Sequence, residues 1–494
     1  MLTVIAFLIA LGALIAIHEY GHYRVAVACG VKVLKFSIGF GKPIYSWRLK
    51  GKPTEFSIGM LPLGGFVKML DEREGPVDPA ERHLAFNTQP LKSRAAVVAA
   101  GPIANLVLAI LIYSALNWTG LEEPKALLAS PVAGSVAERA GVRGQELVER
   151  AGFDGEALEQ VRSFEDLRWR LMQGALNGRN VRLVLSDGSG SARAATDGAD
   201  APTKEVVLNF QNFDAREVDA QLFRRIGILG PWTQPVLGNL LAGGPADKAG
   251  LREGDVVLRI GNTPIVDGQQ LRQAIRNPAG SSPQSSSPQS SSSQSAGPQL
   301  SSAQAASAAT QLWSVRRGGC TLDFQVTPRM AVEGKLTVPR IDAAVGGPPE
   351  FVTVRYGVFD GLWQGVKRTW DSSVLTLKMM GKMLIGEASL KNLSGPLTIA
   401  DYAGKSASLG LSAYLLFLAA ISVSLGVLNL LPLPVLDGGH LMYYLWEGVT
   451  GKPVSTASME TLQRGGVAAL LAMMSVALFN DTLGCSVACK FNRW

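Results

Sequence analysis

The sequence predicts a polytopic α-helical membrane protein with about four transmembrane helices, a membrane-associated β-hairpin and two external α+β modules. Three observations carry this expectation. Of the 494 residues, 47% are hydrophobic, and the mean hydropathy is +0.18, too apolar for an ordinary soluble chain. Long runs without a charged residue recur along the chain. A repeated segment, SVAERAGVRGQEL from Ser135 and GPADKAGLREGDV from Gly244, marks a duplicated module.

The first run covers residues 1–17 and ends in His18 and Glu19; the segment is taken as 1–24. No small-residue cleavage site follows it, so it reads as a span and not as a signal peptide. The others are 95–119, 406–436 and 464–484. A helix needs about 20 apolar residues to cross the hydrocarbon. The second and third runs meet this directly, and the other two recruit flanking residues. The loop from Tyr23 to Ala95 holds twelve Lys or Arg, whereas none precedes Glu19. The positive-inside rule then puts this loop in the cytoplasm and both termini outside. The net charge is +7, but the basic residues flank the apolar runs, so the expected partner is a lipid bilayer and not nucleic acid. Cys29, Cys320, Cys485 and Cys489 form no CxxC pair, so no disulfide framework or structural zinc module is indicated.

Between the spans, residues 25–94 form a cytoplasmic or re-entrant β region. Its 31–70 stretch alternates apolar residues between Gly and Pro, as hairpins do. The two modules occupy 121–218 and 222–330. Each contains a short helix ending in Ala-Gly, where glycine supplies the left-handed cap. The Ser/Gln/Pro tract at 278–310 reads as a disordered insertion in the second module. In 331–405, apolar and aromatic residues at helical spacing between Lys and Arg suit an amphipathic helix, on the membrane surface or packed on the modules. Residues 437–463 form a second cytoplasmic loop.

The strongest chemical signal is His18-Glu19-Tyr20-Gly21-His22. On a helix, i and i+4 share a face, so two imidazoles can bind one zinc ion, with Glu19 as general base beside them. Ionisable groups inside a span are costly and usually functional. A third ligand is needed. Asp437 in LNLLPLPVLDGGH is preferred to His440 and Glu447 because it lies nearest the apolar run and two glycines follow it. The topology puts it on the same side as the histidines. Pro432 and Pro434 lack an N–H and break the helix. Asn429, in an otherwise apolar run, serves either an extended substrate or interhelical packing.

With these motifs, and with GFGKP (Gly39 to Pro43), PLGGFVKM (Pro62 to Met69) and GPIANLVLA (Gly101 to Ala109), nearly the whole chain resembles the site-2 protease family, in its bacterial form with tandem PDZ domains. The resemblance implies an intramembrane zinc metalloprotease, with His18, His22 and Asp437 as Zn2+ ligands and Glu19 as catalytic base. It implies that the β-hairpin, with Gly39 and Gly41, pairs with an unwinding substrate, and that Asn429, Pro432 and Pro434 handle it. The modules would be PDZ domains able to take peptide C-termini and to filter substrates by size. Arg225 to Ile228, with Ile226 and Gly227, would be the peptide-binding loop of the second. The implied substrates are single-span membrane proteins of the anti-sigma-factor type, in an envelope stress response, or remnant signal peptides. The implied location is the bacterial inner membrane, with both termini periplasmic. A membrane-anchored PDZ scaffold would have no use for Glu19, and a metal transporter would need ionisable residues in spans two and four.

Overall fold

The computed structural model describes residues 2–51, 53–188, 203–211, 220–276, 310–333, 336–385 and 395–491. They form two compact units. One comprises the chain up to Leu121 and from Arg355 onward, the other Glu122–Val354. The predicted insertion, apart from Thr310, lies outside the described residues, as do the side chains of Cys485 and Cys489.

In the first unit, three described helices are long and apolar enough to cross a membrane: Leu2–Ala28, Leu91–Thr119 and Leu411–Asn429. The fourth predicted run falls inside the helix Thr456–Phe491. Small residues let the helix backbones approach, as apolar surroundings require. A Cβ on Gly21 would lie 2.4 Å from the Ala100 carbonyl, and one on Gly426 3.0 Å from the Pro102 carbonyl. Ala109, Tyr113, Ala419, Val423 and Val427 fill the seam between the second and third of these helices. The amphipathic stretch forms the helix Val358–Leu384, which packs along Leu91–Thr119. Asn117 donates to the Gly361 carbonyl at 3.0 Å and Trp118 to that of Val358 at 2.9 Å.

The third predicted span, 406–436, differs in detail. Gly410, at φ +115°, separates the helix Pro396–Leu409 from Leu411–Asn429. The chain then leaves the helix around Pro432 and Pro434 and re-enters one at Asp437–Thr450. The missing N–H groups of the two prolines explain this break.

The β region is a pair of long strands, Val33–Arg48 and Glu55–Met69. Its register doubles back: Lys35 faces both Lys68 and Glu55, and Phe36 faces both Val67 and Phe56. The reversal occurs near Gly39, at φ +92°, where a Cβ would lie 2.8 Å from the Leu61 carbonyl. Val33 and Phe36 pack with Tyr23, Ala26 and Val97. The limb from Phe40 to Arg48 is exposed.

In the second unit, both modules have a four-stranded sheet of the same strand order. In the first it runs Glu159–Gln160, Glu146–Phe153, Val181–Asp187, Thr203–Leu208. In the second it runs Thr263–Pro264, Val256–Ile260, Gln311–Arg317, Cys320–Val326. Each sheet carries one helix, Phe164–Asn177 or Gly268–Arg276. Ser163 accepts from the Asp166 N–H and Asp267 from the Gln270 N–H, the N-cap bond that each helix start needs.

The predicted boundaries shift here. Leu222, Ile226 and Ile228 are buried in the core of the first module, so that module extends beyond 218. Arg225 to Ile228 is therefore its closing turn and not a loop of the second module. Leu222 and Ile226, one turn apart on the helix Ala220–Ile226, and Ile228 just beyond it complete a core that would otherwise stand open. Gly227, at φ +99°, accepts from the Val132 N–H at 3.1 Å. The second module closes in the same way: Ile341 is buried in its core, and Asp342, at φ +56°, accepts from the Leu241 N–H at 2.9 Å. A separate two-stranded sheet, Ala343–Val345 paired with Leu237–Leu240, packs on the same core, so the module runs past 330.

Candidate metal centre

His18 and His22 lie one turn apart on the helix Leu2–Ala28, with Nε2 atoms 3.2 Å apart. Asp437, the first residue of its helix, brings Oδ2 to 3.1 Å from His18 Nε2 and 3.6 Å from His22 Nε2. The side chains are 12%, 11% and 23% exposed. Among the described residues these three form the group able to hold a metal ion.

The triangle fits zinc. Ligand atoms about 2.0–2.2 Å from a tetrahedral ion stand roughly 3.3–3.6 Å apart, close to the three distances here. Two imidazoles and a carboxylate leave the fourth position open, the pattern of a catalytic and not a structural site. The His22 Nδ1 donates to the Val97 carbonyl at 2.8 Å, the outer bond that turns Nε2 toward Asp437. The Asp437 carboxyl is pushed up by burial, but bonds from His18 and His22 reverse this and hold it at about 2. Glu19 interacts electrostatically with all three groups.

Several neighbours carried no sequence signal of their own. Gly101, on the helix Leu91–Thr119, lies against both imidazoles: a Cβ there would come within 2.2 Å of His22 Nε2 and 2.8 Å of His18 Nε2. Gly65 brings the second β-strand to Glu19, since a Cβ would lie 2.9 Å from its Cγ. Asn105, one turn beyond Gly101, reaches His18 Nδ1 at 3.2 Å. Gly101 and Asn105 both belong to GPIANLVLA, so the signal was the motif and not the residue type.

The other candidates part company. Glu447 pairs with Arg94 through two bonds of 3.2 and 2.6 Å, and His440 sets its ring edge against Tyr443. Asn429 is half-buried at the last position of its helix. Gly39 and Gly41, at φ +92° and +87°, turn the β ribbon. Ile226 and Gly227 lie in the second unit, in the first module's closing turn.

A sequence profile of peptidase family M50 matches residues 6–473. A Ralstonia nicotianae protein whose name describes a zinc metalloprotease is 39% identical over 97% of this chain and 98% of its own length. The regulator of sigma-E protease RseP of Escherichia coli K12 is 36% identical over 96% and 97%. The regulator of sigma E protease of Haemophilus influenzae is 34% identical over 97% and 98%. The chain therefore belongs to peptidase family M50 and is a zinc metalloprotease of the site-2 type.

Proposed function

We propose that this enzyme cleaves the transmembrane segments of single-span membrane proteins, with His18, His22 and Asp437 holding zinc and Glu19 acting as general base. The observation that carries this reading is the 3.1, 3.2 and 3.6 Å ligand triangle at one end of an apolar helix. When bound, zinc supplies Lewis-acid activation of water and of the scissile carbonyl. Glu19 takes the proton of the attacking water and returns it to the departing amide nitrogen. Asp437 and the two histidines keep their donor atoms converged, and Gly101 keeps the space between them clear.

A transmembrane helix hides its carbonyls in its own hydrogen bonds, so the substrate must unwind locally. The exposed limb Phe40–Arg48, turned by Gly39 and Gly41, supports pairing with that extended chain. The unwound segment with Pro432 and Pro434, next to Asn429, supports a second contact. The names of the Escherichia and Haemophilus relatives support a substrate of the anti-sigma-factor type, an envelope stress role and an inner-membrane location. The two modules are proposed as PDZ domains that take peptide ends and select substrate size. Both termini are proposed to be periplasmic, with the active site near the cytoplasmic side.

The test is cleavage of a tagged single-span substrate, its outer domain truncated, by detergent-purified enzyme and its Glu19→Gln variant. The variant is expected to retain zinc and lose at least about 100-fold in rate, the usual contribution of a general base. Equal cutting by both would remove Glu19 from the mechanism.

A further inference from the structure

We infer that the Asn105 carboxamide is a positioning group for His18, holding its imidazole in the tautomer that presents the Nε2 lone pair to zinc. This rests on the zinc-site reading above. Asn105 is fully buried, at 0% exposure. Its Nδ2 lies 3.2 Å from His18 Nδ1, and its Oδ1 has no partner among the described residues. Its backbone carbonyl accepts from Ser422 Oγ at 2.8 Å, which pins the residue between two helices.

A histidine that ligates through Nε2 carries its proton on Nδ1, and that N–H needs an acceptor in a buried site. For His22 the Val97 carbonyl meets this need at 2.8 Å. For His18 the group in reach is the Asn105 amide. As it stands, the amide N–H donates to Nδ1, and His18 Nε2–H faces Asp437 Oδ2 at 3.1 Å. A half-turn of the amide places the unpartnered Oδ1 against Nδ1–H, and the Nε2 lone pair is freed. One side chain can thus serve both tautomers, as donor to a bare Nδ1 and as acceptor for Nδ1–H. An aliphatic residue of the same size would pack equally well and do neither.

The experiment is zinc affinity by chelator competition on the full-length purified protein, with Asn105→Leu, Asn105→Asp and His18→Ala, alongside thermal melting of the metal-free forms. Asn105→Leu is expected to weaken zinc binding by about 10–100-fold, the usual effect of removing such an outer partner. Asn105→Asp, which keeps an acceptor, is expected to bind near the parent value, and the metal-free melting points of both are expected to match the parent's. Parent-like affinity in Asn105→Leu, or an equal loss in Asn105→Asp, overturns the inference. If Asn105→Leu fails to fold, Asn105→Ser, too short to reach Nδ1, takes its place with the same expectations. If His18→Ala itself leaves zinc binding unchanged, the zinc-site reading falls and this inference with it. If His18→Ala abolishes binding and Asn105→Leu does not, this inference alone falls.

Discussion

Gly101 stands where any larger residue would fill the metal centre. An added Cβ would lie only 2.2 Å from His22 Nε2 and 2.8 Å from His18 Nε2, so the missing side chain is what leaves room for the two imidazoles. Alanine favours a helix over glycine by about 1 kcal/mol, so Gly101→Ala is expected to keep or raise helix stability. The same change should cost at least tenfold in zinc affinity, because the methyl group overlaps both Nε2 atoms. Metal content and melting temperature of the purified variant check the two effects separately. Parent-like metal content would mean that the imidazoles can move aside.

The helix Asp437–Thr450 owes its position to its first turn and to one ion pair. Gly438 and Gly439 press against the unwound chain before it: added Cβ atoms would lie 2.1 Å from the Leu431 carbonyl and 2.3 Å from that of Leu433. Gly438→Ala should therefore displace Asp437 and lower zinc occupancy almost as far as Asp437→Ala does. Further along, Arg94 grips Glu447 with two bonds and lies over the Tyr444 ring, 5.1 Å from its centroid. Two charge-assisted bonds of this kind stabilise more than neutral ones. Glu447→Ala is accordingly expected to lower the melting temperature while leaving one zinc per chain. Loss of the metal in that variant would return Glu447 to the list of ligands.

At the scale of the molecule, the two units respond to different variables. The first is held by apolar seams between its helices. The second has two separate apolar cores, and beside the later one Arg317 pairs with the buried carboxylate of Asp255. Arg317 donates to both Asp255 oxygens at 2.6 Å. Burial pushes the Asp255 carboxyl up, but bonds from Arg317 and the Arg252 N–H outweigh it and leave the group below its usual value. A carboxylate depressed in the folded state stabilises above its unfolded value, about 4, and that stability is lost as pH falls through the folded value. Acid unfolding of the second unit should therefore steepen below about pH 4. Arg317→Met should make that dependence shallower and shift the unfolding midpoint upward in pH. An unchanged profile would show that other groups govern the acid limit.

Much of this protein was determined by the sequence alone, for a physical reason that is local. Charge-free runs of helical length, two histidines one turn apart and prolines that cannot donate an N–H each state their consequence within a few residues. The duplicated short helix likewise announced two related modules. The tertiary structure decided what depends on distant pairs. It separated Asp437 from His440 and Glu447 by bringing one carboxylate oxygen within 3.6 Å of both imidazoles. It moved Arg225 to Ile228 into the first module, because burial of Ile226 and Ile228 depends on which core has room for them. It also gave Gly101 and Asn105 their roles, since neither a missing methyl group nor an unpaired amide oxygen means anything until a second helix lies against it.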